Sequence, residues 1–289
     1  MGTPYSELAA ETFRHWFGNH REDIDALVFD VDGVLMIKGH PMPGAAEVLA
    51  TVRRQGLPFT LLTNDGCSSP EQKCAKLRES GLDLDPSELV SCGHGLEELT
   101  VRRGWQGAPV FVMGSLGDPC YAERAGLEVV RDIARMEQCR CAIIGENTFD
   151  WQKTLDAAFN VLIRRPDYPL VVPNPDEYFP GRSGRLHVGS GALARFLQTL
   201  CRTYGVTISP QYLGKPYEPI FQVAHHRIER RAGTSIVPER VLVIGDSIAS
   251  DIMGGCRFGY RTALVLTGIT RPDMDADAEY CPDLVFQTL

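Results

Sequence analysis

Short apolar runs alternate along this chain with stretches whose apolar residues recur every three or four positions. Ala26 to Phe29, Phe59 to Leu62, Val110 to Met113, Cys141 to Ile144, Val241 to Ile244 and Ala263 to Leu266 are apolar almost throughout. Runs of that length and evenness predict strands buried on both faces. Between them, Leu193, Phe196, Leu197, Leu200 and Cys201 fall at helical spacing and predict a helix over 191–203. Trp151, Leu155, Ala158, Phe159 and Leu162 predict a second, and Ile220, Phe221, Ala224 and Ile228 a third. Ser69-Pro70-Glu71-Gln72 supplies an N-cap, a proline at the first helical position and a capping-box glutamine. Strands alternating with helices imply an α/β protein, a doubly wound, Rossmann-like parallel sheet covered on both faces. Residues 1–23 predict a leading amphipathic helix, with Leu8, Phe13, Trp16 and Phe17 packing on the domain rather than forming a partner-binding arm.

At 289 residues the chain exceeds a typical single core and predicts one large domain with a smaller one. Pro173-Asn174-Pro175 and Pro180-Gly181-Arg182-Ser183-Gly184 mark a crossing between domains. The formal charge of -8 argues against nucleic acid or an anionic membrane as a partner, since both require clustered positive charge. It leaves an anionic small molecule open, because a bound cation and a lysine can invert the local field. No apolar run approaches the ~18 residues of a spanning helix, and the first residues lack the pattern of a signal peptide. A cytoplasmic location is therefore expected, with the nine cysteines as reduced thiols. Cys139 and Cys141 have no second pair at zinc-like spacing, so no structural zinc is expected.

Three of the predicted strands run into polar residues at their carboxyl ends: Asp30, Thr63 and Asp246. In an open parallel sheet, ligands bind at those ends. Asp30-Val31-Asp32-Gly33 places two aspartates one residue apart after a strand, and Asp246 through Asp251 adds two more. Such carboxylates are comfortable when ionised only with a cation beside them, and oxygen-rich sites suit a hard ion such as magnesium. A single pair would read as turn and N-cap aspartates. Two pairs, with Lys215 set between Gly214 and Pro216 and with a phosphate cradle at Thr63-Asn64, favour a catalytic site.

Taken in order, these pieces resemble the haloacid dehalogenase superfamily of phosphotransferases: Asp30-Val31-Asp32-Gly33-Val34, Thr63-Asn64, Lys215, then Gly245-Asp246 through Asp251. The span between the second and third motifs is similar to the large α/β cap of the class containing 4-nitrophenyl-phosphatases and phosphoglycolate phosphatases, as are Asn174-Pro175-Asp176 and the Gly-Lys-Pro at Lys215. Asp65 departs from the second asparagine that many relatives carry. The resemblance implies a core of 1–84 and 185–289 with an inserted cap of 85–184, and relatives that pair through the cap. It implies Asp30 as nucleophile and Asp32 as acid and then base. It implies Mg2+ held by the Asp30 side chain, the Asp32 backbone carbonyl and Asp246, with Asp251 orienting from behind. Thr63, Asn64 and Lys215 would neutralise the phosphoryl oxygens, and Asn174 and Asp176 would meet a small phosphorylated metabolite. Because dehalogenases of the superfamily lack an aspartate at the position of Asp32, the pair implies phosphoester chemistry. A phosphotransferase or mutase, or an idle member that only binds a phosphometabolite, are the alternatives.

Other features read as structural. Gly189-Ser190-Gly191 predicts a helix start re-entering the main domain, and His225-His226 with Arg227, Arg230 and Arg231 a solvated helix face. Glu146, Asn147 and, again, Asp176 are candidates at the substrate by loop position alone.

Overall fold

In the computed structural model, which describes residues 3–37, 39–146, 149–180, 185–274 and 279–289, six strands form one sheet. Across the sheet they run Leu284–Phe286, Arg261–Val265, Val241–Gly245, Ala26–Asp30, Phe59–Thr63 and Leu89–Ser91. The registers from Leu284 to Thr63 are parallel, with Phe29 beside Ile244 and Leu61. Every residue of Ala26–Asp30, Phe59–Thr63 and Val241–Gly245 is buried, which is why these strands read as unbroken apolar runs instead of alternating ones. The chain leaves Ala26–Asp30 for the strand on one side, and Val241–Gly245 returns on the other. Strand order therefore reverses beside Asp30, where a doubly wound sheet opens a crevice.

The chain divides into two compact units. The first holds Met1–Thr63, Lys73–Val90 and Lys215–Leu289, and the second Asn64–Gln72 and Ser91–Gly214. In the first, the leading segment is not one helix but two, Tyr5–Leu8 and Phe13–His20. The break has a local cause. Thr12 caps the second helix by accepting from the His15 N–H at 3.3 Å, and Glu11 forms a parallel bridge to Phe286 at the sheet edge. Phe13 is fully buried, its ring 5.9 Å from Phe29 and 5.8 Å from Phe286, so the segment packs on the core.

In the second unit five parallel strands run Gln211–Tyr212, Leu170–Val172, Ala142–Ile144, Pro109–Met113 and Glu128–Val130. This unit extends past the boundary at 184 expected from the sequence. Helix Ser190–Thr203 packs on helix Trp151–Arg164, and Leu193, Ala194, Leu197 and Cys201 complete a core with Val161, Leu162 and Leu170. The helix opening at Ser190 thus belongs to the second unit rather than re-entering the first. Its apolar stripe has the right period for either sheet, so periodicity could not decide which one it would cover. Nor does the second unit begin at 85, since the loop Asn64–Gln72 also clusters with it. No disulfide joins any of the nine cysteines. No described helix is long and apolar enough to cross a membrane.

Candidate active site

Asp30 ends the strand Ala26–Asp30, and Asp246 follows Val241–Gly245 on the neighbouring strand. Asp251 stands in the turn of π-helix Ile248–Ile252 that carries the chain away from the sheet. One carboxylate oxygen from each of the three lies within 4.8 Å of the others, and all three residues are buried. Lys215, also buried, donates to Asp30 Oδ1 at 2.6 Å and to Asp251 Oδ1 at 2.7 Å. Asp251 Oδ2 accepts in turn from the Ser247 N–H at 3.2 Å. The carboxylate expected to act from behind the metal therefore reaches the cluster itself.

Burial sets the electrostatics. It pushes the Asp30 carboxyl well above the usual range, and the Asp251 and Asp246 carboxylates push the same way while Lys215 opposes them. Asp246 is pushed up to about 7, first by burial and then by Asp251. For Lys215, burial works against the charge, but Asp251 and Asp30 more than offset it and hold the ammonium above the ordinary lysine range. With all three carboxylates ionised, the single ammonium would leave two negative charges uncompensated in a buried site. An all-oxygen donor set short of two positive charges fits a divalent hard cation such as magnesium, and lacks the nitrogen or sulfur ligands that zinc favours.

A strap that the motif reading did not register holds Asp246. The Ile269 N–H donates to its Oδ2 at 2.7 Å, the Thr270 N–H donates to its backbone carbonyl at 3.0 Å, and Thr267 Oγ1 donates to the Gly33 carbonyl at 2.5 Å. Gly33 and Gly268 flank the carboxylate so closely that a Cβ on either would overlap it. A Thr-Gly pair just beyond a strand's carboxyl end was the available signal.

Asp32 is placed differently. Its side chain is 71% exposed and lies outside the buried cluster, with Oδ2 at 3.2 Å from the Lys73 ammonium. Thr63 is buried at the end of its strand.

In the second unit, a chain of hydrogen bonds joins the remaining sequence-predicted residues. Asn64 Nδ2 donates to Asp176 Oδ1 at 3.0 Å, and the Asp176 N–H donates to Asn174 Oδ1 at 2.9 Å. Asn174 Nδ2 donates to Glu146 Oε1 at 2.6 Å, and the Cys67 thiol donates to Glu146 Oε2 at 2.6 Å. Burial raises the Glu146 carboxyl above its ordinary range, against the hydrogen bonds from Cys67 and Asn174. Asp176 thus engages the side chain of Asn64, the residue next to Thr63. Asp65, the departure from the family pattern, turns Oδ1 onto the N–H groups of Cys67 at 2.9 Å and Ser68 at 3.3 Å, so it shapes its own loop. Asn147 lies outside the described residues.

Comparison with known proteins adds independent findings. Residues 27–128 match the family described as haloacid dehalogenase-like hydrolase, and residues 212–289 match a second pattern of the same hydrolases, more than half of the chain between them. The chain is similar to an acid sugar phosphatase of Staphylococcus aureus, 28% identical over 246 residues, or 85% of this chain and 87% of that protein. Among solved structures it resembles a p-nitrophenyl phosphatase from Archaeoglobus fulgidus, with TM-score 0.74 and 26% identity over 92% of this chain and 97% of that one. It also resembles a possible sugar phosphatase from Cytophaga hutchinsonii, with TM-score 0.76 and 25% identity over 96% and 97% of the two chains.

Proposed function

Since the chain belongs to the haloacid dehalogenase-like hydrolases, we propose that it is a magnesium-dependent phosphatase that cleaves a small phosphate monoester, a sugar phosphate or similar metabolite, through an aspartyl-phosphate. The observation that carries this reading is the position of Lys215, bridging Asp30 and Asp251 inside a buried carboxylate cluster at the strand ends. Two of the three carboxylates are spanned by a single ammonium, and the remaining deficit of positive charge matches a divalent ion. The similarity to the Staphylococcus aureus acid sugar phosphatase over most of both chains supports the choice of substrate class.

In this reading the Asp30 carboxylate attacks phosphorus as the ester oxygen departs, which splits one hard hydrolysis into two displacements. Asp32 gives its proton to the departing oxygen. Water then attacks the phosphorus of the aspartyl-phosphate, Asp32 takes a proton from that water, and inorganic phosphate leaves with Asp30 restored. The exposure of Asp32 suits this exchange, since a proton carrier has to meet both leaving group and water. Lys215, Thr63 and Asn64 offset charge on the phosphoryl oxygens, which is where most of the barrier to phosphoryl transfer is lowered. Asp30, Asp246 and the Asp32 carbonyl, with Asp251 beside them, would hold magnesium, which when bound would supply positive charge to the phosphoryl group. Asn174 and Asp176 hold Asn64 in line.

The test is a panel of sugar phosphates, glycerol phosphate, phosphoglycolate, nucleotides and nitrophenyl phosphate, assayed with magnesium for released inorganic phosphate. A preference of more than about a hundredfold, ~2.7 kcal/mol in transition-state binding, identifies the substrate class. Release from none of them overturns the reading.

A further inference from the structure

Lys73 stands on helix Pro70–Glu79, 41 residues from Asp32 in sequence, and its ammonium meets Asp32 Oδ2 at 3.2 Å. The two partners are unequal. The lysine side chain is only 13% exposed, whereas the carboxylate it reaches is 71% exposed. A lysine normally keeps its ammonium in water and buries its stem. Here the side chain as a whole is largely sequestered, and its ammonium meets a carboxylate on the turn that follows Ala26–Asp30. An ion pair whose carboxylate is this exposed contributes little stability, about 0–1 kcal/mol. It does fix a rotamer. An exposed aspartate on a turn samples several χ1 and χ2 values, and tying Oδ2 leaves Oδ1 in a defined direction.

We propose that Lys73 is a positioning residue for proton transfer by Asp32, holding one oxygen of that carboxylate so that the other faces the oxygen that leaves and then the water that attacks. The inference rests on the phosphatase reading and deepens it. The helix that begins at the Ser69 cap is the rigid mount: Ser69 Oγ accepts from the Gln72 N–H at 3.3 Å, and Gln72 Oε1 accepts from the Ser69 N–H at 3.0 Å. That reciprocal cap fixes the first turn, and Lys73 follows directly after it. Angular precision of this kind acts on the rate more than on binding.

The experiment compares Lys73→Met, Lys73→Arg and wild type on nitrophenyl phosphate and on the alkyl phosphate cleaved fastest in the panel, with magnesium saturating. Lys73→Met should lower kcat/KM on the alkyl ester by roughly tenfold, a part of the 10²–10⁴ that general acid catalysis supplies. It should change the nitrophenyl ester, whose leaving group needs little protonation, by less than about twofold. Lys73→Arg should recover most of the loss. In an Asp32→Asn background, Lys73→Met should have no further effect on the alkyl ester. A loss caused by lowered stability alone would persist in this background, because the same Lys73 change is made in both. An equal loss on both esters, no loss on either, or an undiminished loss in the Asp32→Asn background overturns the positioning role while leaving the phosphatase reading in place. Absence of phosphate release by wild type from every ester overturns both.

Discussion

The backbone N–H of Ile269 donates to Asp246 Oδ2 at 2.7 Å, although the two residues belong to successive strand ends 23 positions apart. With Gly268 beside it, that contact sets where the Asp246 carboxylate can stand relative to Asp30 and Asp251. A methyl group on Gly268 would overlap the carboxylate itself. Gly268→Ala should therefore displace Asp246 or the strap, destabilise the protein by about 1–3 kcal/mol and lower activity at least tenfold. Raised magnesium should recover part of that activity if Asp246 still reaches the ion. Magnesium titrations of the rate for wild type and variant check it, and an unchanged half-saturating concentration would show that Asp246 does not hold the ion.

Asp30→Asn should abolish turnover while the chain stays folded. The substitution keeps the shape of the side chain and removes the nucleophilic charge. It also removes a buried carboxylate whose charge burial, Asp251 and Asp246 disfavour against the pull of Lys215, so the melting temperature should be equal to or above that of wild type in the absence of metal. Repeated phosphate release by a cooperatively melting Asp30→Asn protein would mean that another group attacks.

For Asp32→Asn the two ester types should separate. Loss of the acid should reduce kcat/KM by about 10²–10⁴ on an alkyl phosphate and by much less on nitrophenyl phosphate. Magnesium binding should persist, because the side chain stands outside the buried carboxylate cluster. Equal fractional losses on both esters would leave Asp32 as a turn residue.

Magnesium should stabilise the protein more as pH rises. Burial lifts the Asp246 carboxyl from 3.8 to about 7. Between those values the native state holds a proton that the unfolded chain has released, so in the metal-free protein this group's contribution is fully present below about 4 and is lost as pH rises through about 7. Magnesium competes with that same proton. The metal-free melting temperature should fall across this window, and the increment on adding magnesium should grow. Melting curves at pH 5, 6, 7 and 8 with chelator and with magnesium check it. An increment independent of pH would remove Asp246 from the metal site. Excess chelator should abolish turnover, and calcium should fail to restore it, because its longer and looser coordination misplaces the nucleophile.

Phe13→Ala should cost about 3–5 kcal/mol, because its ring is fully buried against Phe29 and Phe286. Denaturant unfolding checks it. A loss under 1 kcal/mol would show that the leading segment is not part of the core in solution.

The sequence alone determined the central strands, because Ala26–Asp30, Phe59–Thr63 and Val241–Gly245 are buried on both faces and so must be apolar in unbroken runs. It also determined that Asp30, Thr63 and Asp246 end those strands, since each polar residue stops an apolar run, and parallel strands carry such ends to one edge. Tertiary structure decided three other things. It decided which sheet helix Ser190–Thr203 covers, because an amphipathic stripe records that a face is buried and not what buries it. It brought Asp251 into contact with Lys215, and Lys73 to Asp32, because a side-chain contact across 36 or 41 residues leaves no local period to read. And it closed Ile269 and Thr270 on Asp246 through backbone N–H groups, which every non-proline residue carries, so that Thr267-Gly268 could mark a turn in the sequence but not the carboxylate that the turn would hold.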